Sequence, residues 1–235
     1  MSRKQILKYL ILRSIGNFLF LFAIFGVIAT FGPALYYEVQ FRIVQIRGVH
    51  FSVSETFATS DSKVTGPSFA DLMTGAKEQT IVPPDPQFSI VIPKIGAAAK
   101  IYPNVDPGDE ANFLPVLLKG VAHAAGSVFP GLAGNVYLFA HSSDNWWDAG
   151  RYNAIFYLLK DLEEGDEVVI FYQGQRYNYF VTGSQIVDAS DVSLITHAKE
   201  GNEQLILQTC WPPGTAWKRL MVFARPRKTD VIFKK

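Results

Sequence analysis

Cysteine is almost absent from this chain, since Cys210 is the single one among 235 residues. An intrachain disulfide is therefore excluded. Outside the cytoplasm most cysteines are paired in disulfides. A lone cysteine in an exported domain is thus either a small buried residue or a thiol kept free for its chemistry. Cys210 ends the apolar run Leu205–Cys210, and its role decides what the protein does.

An excess of charge of either sign is also lacking. The 22 Lys and Arg residues nearly balance the 21 Asp and Glu residues, which gives a formal net charge of +1. The chain has no basic field for nucleic acid and no acidic tail, so we set nucleic-acid binding aside. Repeats and low-complexity tracts are absent from the sequence too. With 49% hydrophobic and 18% charged residues, the composition is typical of a folded protein with an additional apolar segment.

That additional segment lies near the N-terminus, where no charged residue occurs between Arg13 and Glu38. About 20 apolar residues in a helix cross a hydrocarbon core of about 30 Å, so residues 14–37 predict a single transmembrane helix. The tail of residues 1–13 is basic, which predicts a cytoplasmic N-terminus. We therefore expect a single-pass protein of the cell membrane whose remaining chain is extracytoplasmic. A cleaved signal peptide is the alternative, and it also implies export.

The next segment, residues 38–86, predicts an extracytoplasmic stalk. Ser, Thr and Gly dominate residues 52–68, and a proline-rich stretch ends the segment at Pro86. Within this stalk, alternating residues over Phe41–Val49 predict a strand, and Phe69–Met73 predicts a helical turn. Residues 87–227 form the predicted folded domain, and residues 228–235 form a short C-terminal tail.

The folded domain is predicted to be mainly β. Short apolar runs bounded by turn residues predict strands over residues 88–92, 135–140, 167–171, 176–182, 205–209 and 219–224. Turns are expected at Gln173–Gln175 and Pro212–Gly214. Helical spacing occurs over Asn153–Leu162, whose apolar face comprises Ile155, Phe156, Leu158, Leu159 and Leu162. Many short strands with one helix predict a closed, or nearly closed, β-barrel.

A base or a cationic neighbour that favours the thiolate is the first requirement for a reactive thiol, because an unperturbed cysteine has a pKa of about 8.5. His141 follows the strand at residues 135–140 and precedes a polar loop, where a barrel strand presents a side chain at its rim. We favour it over His123, which lies in a small-residue turn. His50 lies in the predicted stalk, and His197 lies in a polar loop.

A cation for the oxyanion is the second requirement of acyl transfer by a thiol. Lys218 and Arg219 follow the turn after Cys210, and a hairpin would bring them back beside it. Arginine suits a carbonyl oxyanion through its fixed fork of donors, although both residues are also explained as surface charges. The loop acids Asp106, Asp109 and Glu110 are expected to be solvated. Neither a metal nor a cofactor is predicted.

Several segments resemble one family in their order and spacing. They are Ile90–Ile95 (IVIPKI), Gly120–His123 with the following Gly126-Ser127, Pro130-Gly131 and Gly134-Asn135, Phe139–Ser142 (FAHS), Leu162–Glu167 (LEEGDE), and Leu207–Cys210 (LQTC) followed by Arg219 and an apolar run. From about Phe88 to Arg225 the chain is similar to the sortases, which are membrane-anchored cysteine transpeptidases of the bacterial cell surface.

This resemblance implies a fold and a set of site residues. The fold is a closed eight-stranded sortase-type β-barrel with short helices, which would make residues 87–227 the catalytic domain. Cys210 would be the nucleophile, His141 the acid and base, and Arg219 the group that stabilises the oxyanion or orients substrate. His123 would belong to a structural or groove-lining turn.

Two further residues are candidates for binding substrate. Thr209 either lines the groove or is an ordinary strand residue. Trp211 either walls the groove or packs at the rim, and the same alternatives hold for Trp146 and Trp147.

The resemblance also implies a reaction and its partners. Known sortases cleave a sorting signal of the Leu-Pro-x-Thr-Gly type between Thr and Gly through a thioester. They then transfer the acyl group to an amine. The expected partners are therefore secreted proteins that carry a sorting signal, and an amine acceptor such as a cell-wall precursor or a pilin lysine.

Other classes of protein stay open. A membrane-anchored cysteine hydrolase or protease would share the first step and use water in the second. A non-catalytic surface β-domain would simply bury Cys210. The L,D-transpeptidases are less favoured, because their Ser-x-Gly-Cys-x-Arg type of motif is absent from the sequence.

Overall fold

The structure is a computed structural model, and it describes residues 3–54, 78–142, 156–213 and 215–227. The helical turn predicted at Phe69–Met73, the pair Trp146 and Trp147, and the predicted tail 228–235 lie outside the described residues. The helices are α1 (Arg3–Arg47), α2 (Glu110–Leu117) and α3 (Ser193–Thr196). The strands are β1 (His50–Val53), β2 (Glu78–Ile81), β3 (Phe88–Ile92), β4 (Ala97–Val105), β5 (Val121–Ala124), β6 (Asn135–Phe139), β7 (Glu167–Tyr172), β8 (Gln175–Asp188), β9 (Gln204–Trp211) and β10 (Lys218–Pro226).

Helix α1 is long and apolar over most of its length. Its segment Arg3–Ala29 has a mean hydropathy of 2.1 and no residue buried against the rest of the protein. It is the one helix among the described residues that is long and apolar enough to cross a membrane. A signal sequence meets the same criterion. The helix continues without a break past the predicted span end at residue 37 and ends at Arg47.

The strand predicted over Phe41–Val49 is therefore wrong, because residues 41–47 belong to α1. Phe41 and Val44 lie three residues apart and are both buried, so they form one face of the helix. Arg42 pairs with Glu38 one turn earlier at 3.0 Å. Lys160 Nζ lies 2.9 Å from Glu38 Oε2, which joins the end of α1 to the folded domain.

Part of the predicted stalk packs on the barrel. Strands β1 and β2 pair in parallel, from His50 opposite Glu78 to Val53 opposite Ile81. Their apolar side chains Phe51, Val53 and Ile81 form one cluster with outward-facing residues of β3, β4 and β7. The first and last parts of the predicted stalk are thus ordered against the domain.

Eight strands form a closed barrel in the order β10-β8-β7-β3-β4-β5-β6-β9. This architecture confirms the predicted closed barrel. The β7–β8 hairpin turns through Gln173 and Gly174, both with positive φ, as expected for the tight turn predicted there. Gly134, directly before β6, has φ +117°. A Cβ at this position would lie 2.4 Å from the Ala198 carbonyl oxygen, so only glycine fits.

Alternation along β9 shows how the barrel wall is organised. Leu205 and Leu207 belong to the main core inside the barrel, whereas Ile206 belongs to a second apolar layer on the outside. Helices α2 and α3 contribute Phe113, Leu117, Leu194 and Ile195 to this outer layer. Because both faces of β6 are covered, the strand is buried throughout, and after Asn135 its sequence is apolar or aromatic.

The helix predicted over Asn153–Leu162 lies partly outside the described residues. From Tyr157 to Asp161 it is a 3-10 helix. Phe156, Leu159 and Leu162 pack into the main core. Their spacing of three residues matches three residues per turn, which explains why the segment adopts 3-10 rather than α geometry.

Two barrel strands were not predicted, namely β4 and β5. Strand β4 contains three alanines and Pro103, and β5 follows Gly120, so neither has the composition of a typical strand. His123 was predicted in a turn, and this is wrong because it lies within β5. Pairing with neighbouring strands overrides local propensity here.

Candidate active site

Cys210 and Arg219 face each other across two neighbouring strands. Antiparallel pairing of β9 and β10 places the Cα atoms of these residues directly opposite one another. Directly opposed residues of an antiparallel pair have Cβ atoms about 4.5–5.5 Å apart. The hairpin predicted from the turn after Cys210 therefore forms, with Arg219 beside the thiol.

His141 reaches the same level from the other side of β9. Strands β6 and β9 pair in parallel, from Asn135 opposite Gln204 to Phe139 opposite Gln208, a constant offset of 69 residues. The contact continues one residue further, because the Ala140 amide donates to the Gln208 carbonyl at 3.2 Å. Continued by one residue beyond Ala140, the same offset pairs His141 with Cys210, so we expect the two residues to lie about one strand spacing, ~4.8 Å, apart.

The alternation of the strands assigns these three residues to the outside of the barrel wall. Tyr137, Ile206 and Met221 belong to the outer apolar layer, and each is an even number of residues from His141, Cys210 or Arg219. Side chains two residues apart in a strand share a face. The candidate nucleophile, base and cation thus lie side by side at one edge of the outer apolar layer.

Cys210 is partly exposed, so it is not a fully buried core residue. His141 is also partly buried, and the loss of hydration lowers its pKa below the ordinary 6.5. The imidazole is therefore mostly neutral at pH 7. A neutral imidazole is the form that accepts a proton from a thiol.

Arg219 is anchored by backbone carbonyl groups of the β9–β10 loop and of the first residue of β10. Its Nη1 atom donates to the carbonyl oxygens of Ala216 and Lys218, each at 3.1 Å. Neither contact is an ion pair, so the guanidinium keeps its positive charge unneutralised by these partners. Lys218, the other predicted cation, lies opposite Trp211 and is exposed.

His123 lies apart from these residues, on the inside of the barrel. It is fully buried, pairs with Leu138 across β5 and β6, and stacks on Phe129 with ring centroids 4.6 Å apart. Nε2 lies 3.0 Å from the Val128 carbonyl oxygen, and the Asn104 amide donates to Nδ1 at 3.3 Å. This pattern fits a neutral imidazole protonated on Nε2, and burial lowers its pKa. Both ring nitrogens are thus bound within the protein.

Thr209 and Trp211, the other two predicted substrate-binding residues, belong to the opposite face of β9 from Cys210. Thr209 is buried, and its hydroxyl donates to the Ala140 carbonyl at 3.1 Å. This contact supports the segment that carries His141. Trp211 is partly buried and packs against the main core. Substrate binding by Thr209, Trp211 and His123 stays a prediction.

Tyr137 and Gln208 lie next to the site on the outer face of the barrel wall, and the sequence did not single them out. The Tyr137 hydroxyl donates to Gln208 Oε1, and Met221 Sδ lies 3.9 Å from the same hydroxyl. Gln208 is two residues before Cys210, and Tyr137 is four residues before His141, so strand alternation was the available signal. Among the described residues, no cluster of three or more His, Cys, Asp or Glu side chains could hold a metal ion.

Comparison with known proteins agrees with this architecture. Residues 90–227, more than half of the chain, match the sortase domain family. Sortase D of Bacillus subtilis (strain 168) is 31% identical over 137 residues. That match covers 57% of this chain and 60% of the length of the relative.

Solved structures show the same barrel. Sortase C-1 from Actinomyces oris is 26% identical with a TM-score of 0.50, over 62% of this chain and 76% of that one. The lid mutant of sortase A from Corynebacterium diphtheriae shares the fold with a TM-score of 0.50 and 23% identity, over 84% of this chain and 97% of that one. The family match over residues 90–227, with the cysteine, histidine and arginine motifs within it, shows that this chain belongs to the sortase family.

Proposed function

We propose that this protein is a cysteine transpeptidase of the cell surface, in which Cys210 attacks a sorting-signal peptide and passes the acyl group to an amine. The observation that carries this proposal is the alignment of His141, Cys210 and Arg219 at one level on three adjacent segments of the barrel wall. A partly exposed thiol between a neutral imidazole and a guanidinium has what acyl transfer requires.

The first half-reaction forms a thioester. His141 accepts the Cys210 proton, and the sulfur attacks the carbonyl carbon of the scissile amide. Arg219 stabilises the negative charge that develops on the carbonyl oxygen. The protonated His141 then donates its proton to the leaving amine as the C–N bond breaks. The acyl segment stays bound to Cys210, and the amine product departs.

The second half-reaction transfers the acyl group. An incoming amine attacks the thioester carbonyl, and His141 accepts a proton from the attacking nitrogen. The C–S bond breaks, the Cys210 thiolate regains the proton, and a new amide bond results. A Leu-Pro-x-Thr-Gly-like signal as donor, and a cell-wall precursor or pilin lysine as acceptor, are the partners we propose.

Trapping the acyl-enzyme is the decisive test of the first half-reaction. The full-length protein in detergent micelles is incubated with a Leu-Pro-x-Thr-Gly peptide library, and intact mass spectrometry follows the chain. We expect a mass increase equal to the acyl segment, which hydroxylamine removes and which Cys210→Ala abolishes. If no library peptide acylates the wild-type protein, the proposal fails.

Adding an amine distinguishes transfer from hydrolysis. With triglycine or a lysine-containing peptide present, a transpeptidase should yield the ligated product at the expense of the free acid. A hydrolase should yield the free acid at the same rate with and without the amine. The second outcome would mean that the protein is a cysteine hydrolase and not a transpeptidase.

We propose further that α1 anchors the protein in the cell membrane, with the N-terminus in the cytoplasm and the barrel outside. Because Cys210 is the only thiol in the chain, it serves as a specific reporter of orientation. A membrane-impermeant maleimide should label intact cells that carry the wild-type protein and should not label the Cys210→Ala protein. Labelling only after the cells are lysed would contradict the orientation.

A further inference from the structure

The polar side chain of Gln208 lies between the buried outer layer and the partly exposed thiol of Cys210. It lies two residues before Cys210, on the same face of β9, between Phe139 of β6 and Met221 of β10. Phe139 and Met221 are both buried, whereas Gln208 is partly exposed. Apolar binding surfaces commonly orient their ligands through a few fixed polar groups.

A hydrogen bond from Tyr137 in the buried outer layer holds the side-chain amide of Gln208 in one orientation. The hydroxyl of Tyr137, a residue that is 1% exposed, donates to its Oε1 atom. Burial raises the pKa of Tyr137, so this hydroxyl stays protonated and remains a donor. With Oε1 turned toward Tyr137, the amide nitrogen turns away from the buried layer. Within the described part of the chain, this nitrogen has no protein acceptor.

From this geometry we propose that Gln208 binds the peptide substrate by donating a hydrogen bond from its amide nitrogen to a backbone carbonyl, and that Tyr137 is the residue that positions it. The inference rests on the proposed function. Gln208 is a binding residue in this assignment, and Tyr137 acts through Gln208 without touching the substrate.

The distance along β9 indicates which carbonyl is bound. Two residues of a strand span about 6.6 Å, and an extended peptide advances at a similar rate. Gln208 therefore reaches a carbonyl one or two residues from the scissile bond. The acyl segment is the part of the substrate that must stay in place through both half-reactions, so we assign the contact to that side.

Kinetics of four single variants of the full-length protein test this assignment with the peptide that acylates the wild type best. Gln208→Leu removes the donor and the acceptor, Gln208→Glu keeps the acceptor for Tyr137 and removes the donor, and Tyr137→Phe removes only the positioning contact. Tyr179→Phe is the matched control, because Tyr179 is equally buried and its hydroxyl donates to Glu203 Oε1 at 2.6 Å, away from the site.

We expect KM to rise about three- to ten-fold for Gln208→Leu, Gln208→Glu and Tyr137→Phe, as for the loss of one hydrogen bond. The value of kcat should change little, because the contact is made equally in the ground state and the transition state. Tyr179→Phe should leave both constants unchanged. Peptides that carry a single thioamide, one or two residues before the scissile bond, locate the carbonyl: one of them should raise KM for the wild type and not for Gln208→Leu.

Three results would overturn the inference. If the Gln208 and Tyr137 variants have the same KM as the wild type, Gln208 does not donate the proposed hydrogen bond to the substrate. Full thioamide sensitivity in Gln208→Leu would place the bound carbonyl against another residue. A loss of kcat that follows a loss of Tm would assign both residues a structural role. Acylation of the wild type by none of the peptides would instead refute the proposed function itself, and this inference with it.

Discussion

His123 and His141 belong to neighbouring segments of the same barrel wall, and burial lowers the pKa of both. They nevertheless lie in different surroundings. His123 faces the inside, where protein groups bind both of its ring nitrogens. His141 lies level with the thiol on the outside, where part of its side chain is exposed.

The two regions show that the environment of a histidine, rather than its neighbours in sequence, determines its use. Side chains of a strand alternate between two faces, so a shift of one residue separates a packed core position from a reactive one. The region around His123 should therefore control stability, and the region around His141 should control activity. Four predictions test this division.

The largest effect is expected for His141→Gln. Glutamine keeps a polar side chain of similar size but transfers no proton, and general acid–base catalysis contributes about 10²–10⁴ in rate. Acylation by the library peptide should fall by that factor with little change in Tm. His197→Gln, at an exposed histidine, is the control and should be fully active. If His141→Gln is acylated at the wild-type rate, His141 does not control activity, and the proposed difference between the two histidines is wrong.

Arg219→Lys should have the next largest effect. Lysine keeps the charge but loses the fork of donors that binds a carbonyl oxygen in fixed geometry. Removing an oxyanion donor costs about 10²–10³ in kcat in other acyl-transfer enzymes, so we expect a loss toward the lower end of that range. The matched substitution Arg176→Lys, on β8, should leave kcat unchanged. A rise in KM at constant kcat would assign Arg219 to substrate binding alone.

His123→Leu should lower stability rather than activity. It leaves the Asn104 amide and the Val128 carbonyl without their ring partner, and an unsatisfied buried polar group costs about 1–3 kcal/mol. For a protein of this size, each 1 kcal/mol corresponds to about 2–4 °C in Tm. Thermal unfolding should show this decrease, while the acylation rate per folded molecule is retained. A loss of rate without a loss of Tm would place His123 in the site.

The smallest effect is a dependence of stability on pH below about 6.5. The pKa of His123 is lowered in the folded protein, whereas an unfolded histidine titrates near 6.5. As the pH falls below 6.5, the unfolded chain binds more protons than the folded chain, so the free energy of unfolding decreases. Above that pH the contribution of neutral His123 is fully present.

Measurements of Tm between pH 7.5 and 5.5 check this sign. The Tm of the wild type should fall on acidification, and this histidine should lower the free energy of unfolding by at most about 1.4 kcal/mol per pH unit. His123→Leu should show a shallower decrease over the same range. An equal slope in the two proteins would mean that His123 does not titrate differently on folding.

Most of the barrel was predictable where a strand is locally marked. The strands that contain Val91, Leu138, Ile170, Leu207 and Val222 are apolar, β-branched and bounded by turns, and each formed close to its predicted bounds. The alanine-rich β4 and the four-residue β5 were missed because their strand geometry comes from neighbours rather than from composition. The end of α1 was misjudged because apolar and polar residues alternate over Phe41–Ile43 and again over Val44–Arg47, as they do in a strand.

Within the site, the position of Arg219 followed from hairpin geometry, because a short turn returns the chain beside Cys210. The position of His141 relative to the thiol had no such local basis. Tyr137 and Gln208 were not singled out at all, since an apolar run that contains them is explained equally well by packing.

The sequence alone shows one thiol, an apolar N-terminal segment and a β-rich domain with the cysteine, histidine and arginine motifs of the sortases, and it favours His141 over His123. The fold adds the relative positions of these residues and the outer-layer residues that support them. Barrel closure is the cause, because it pairs β6 with β9 across 69 residues of chain. Contacts that distant depend on the packing of the whole wall, and no local pattern of residues encodes them.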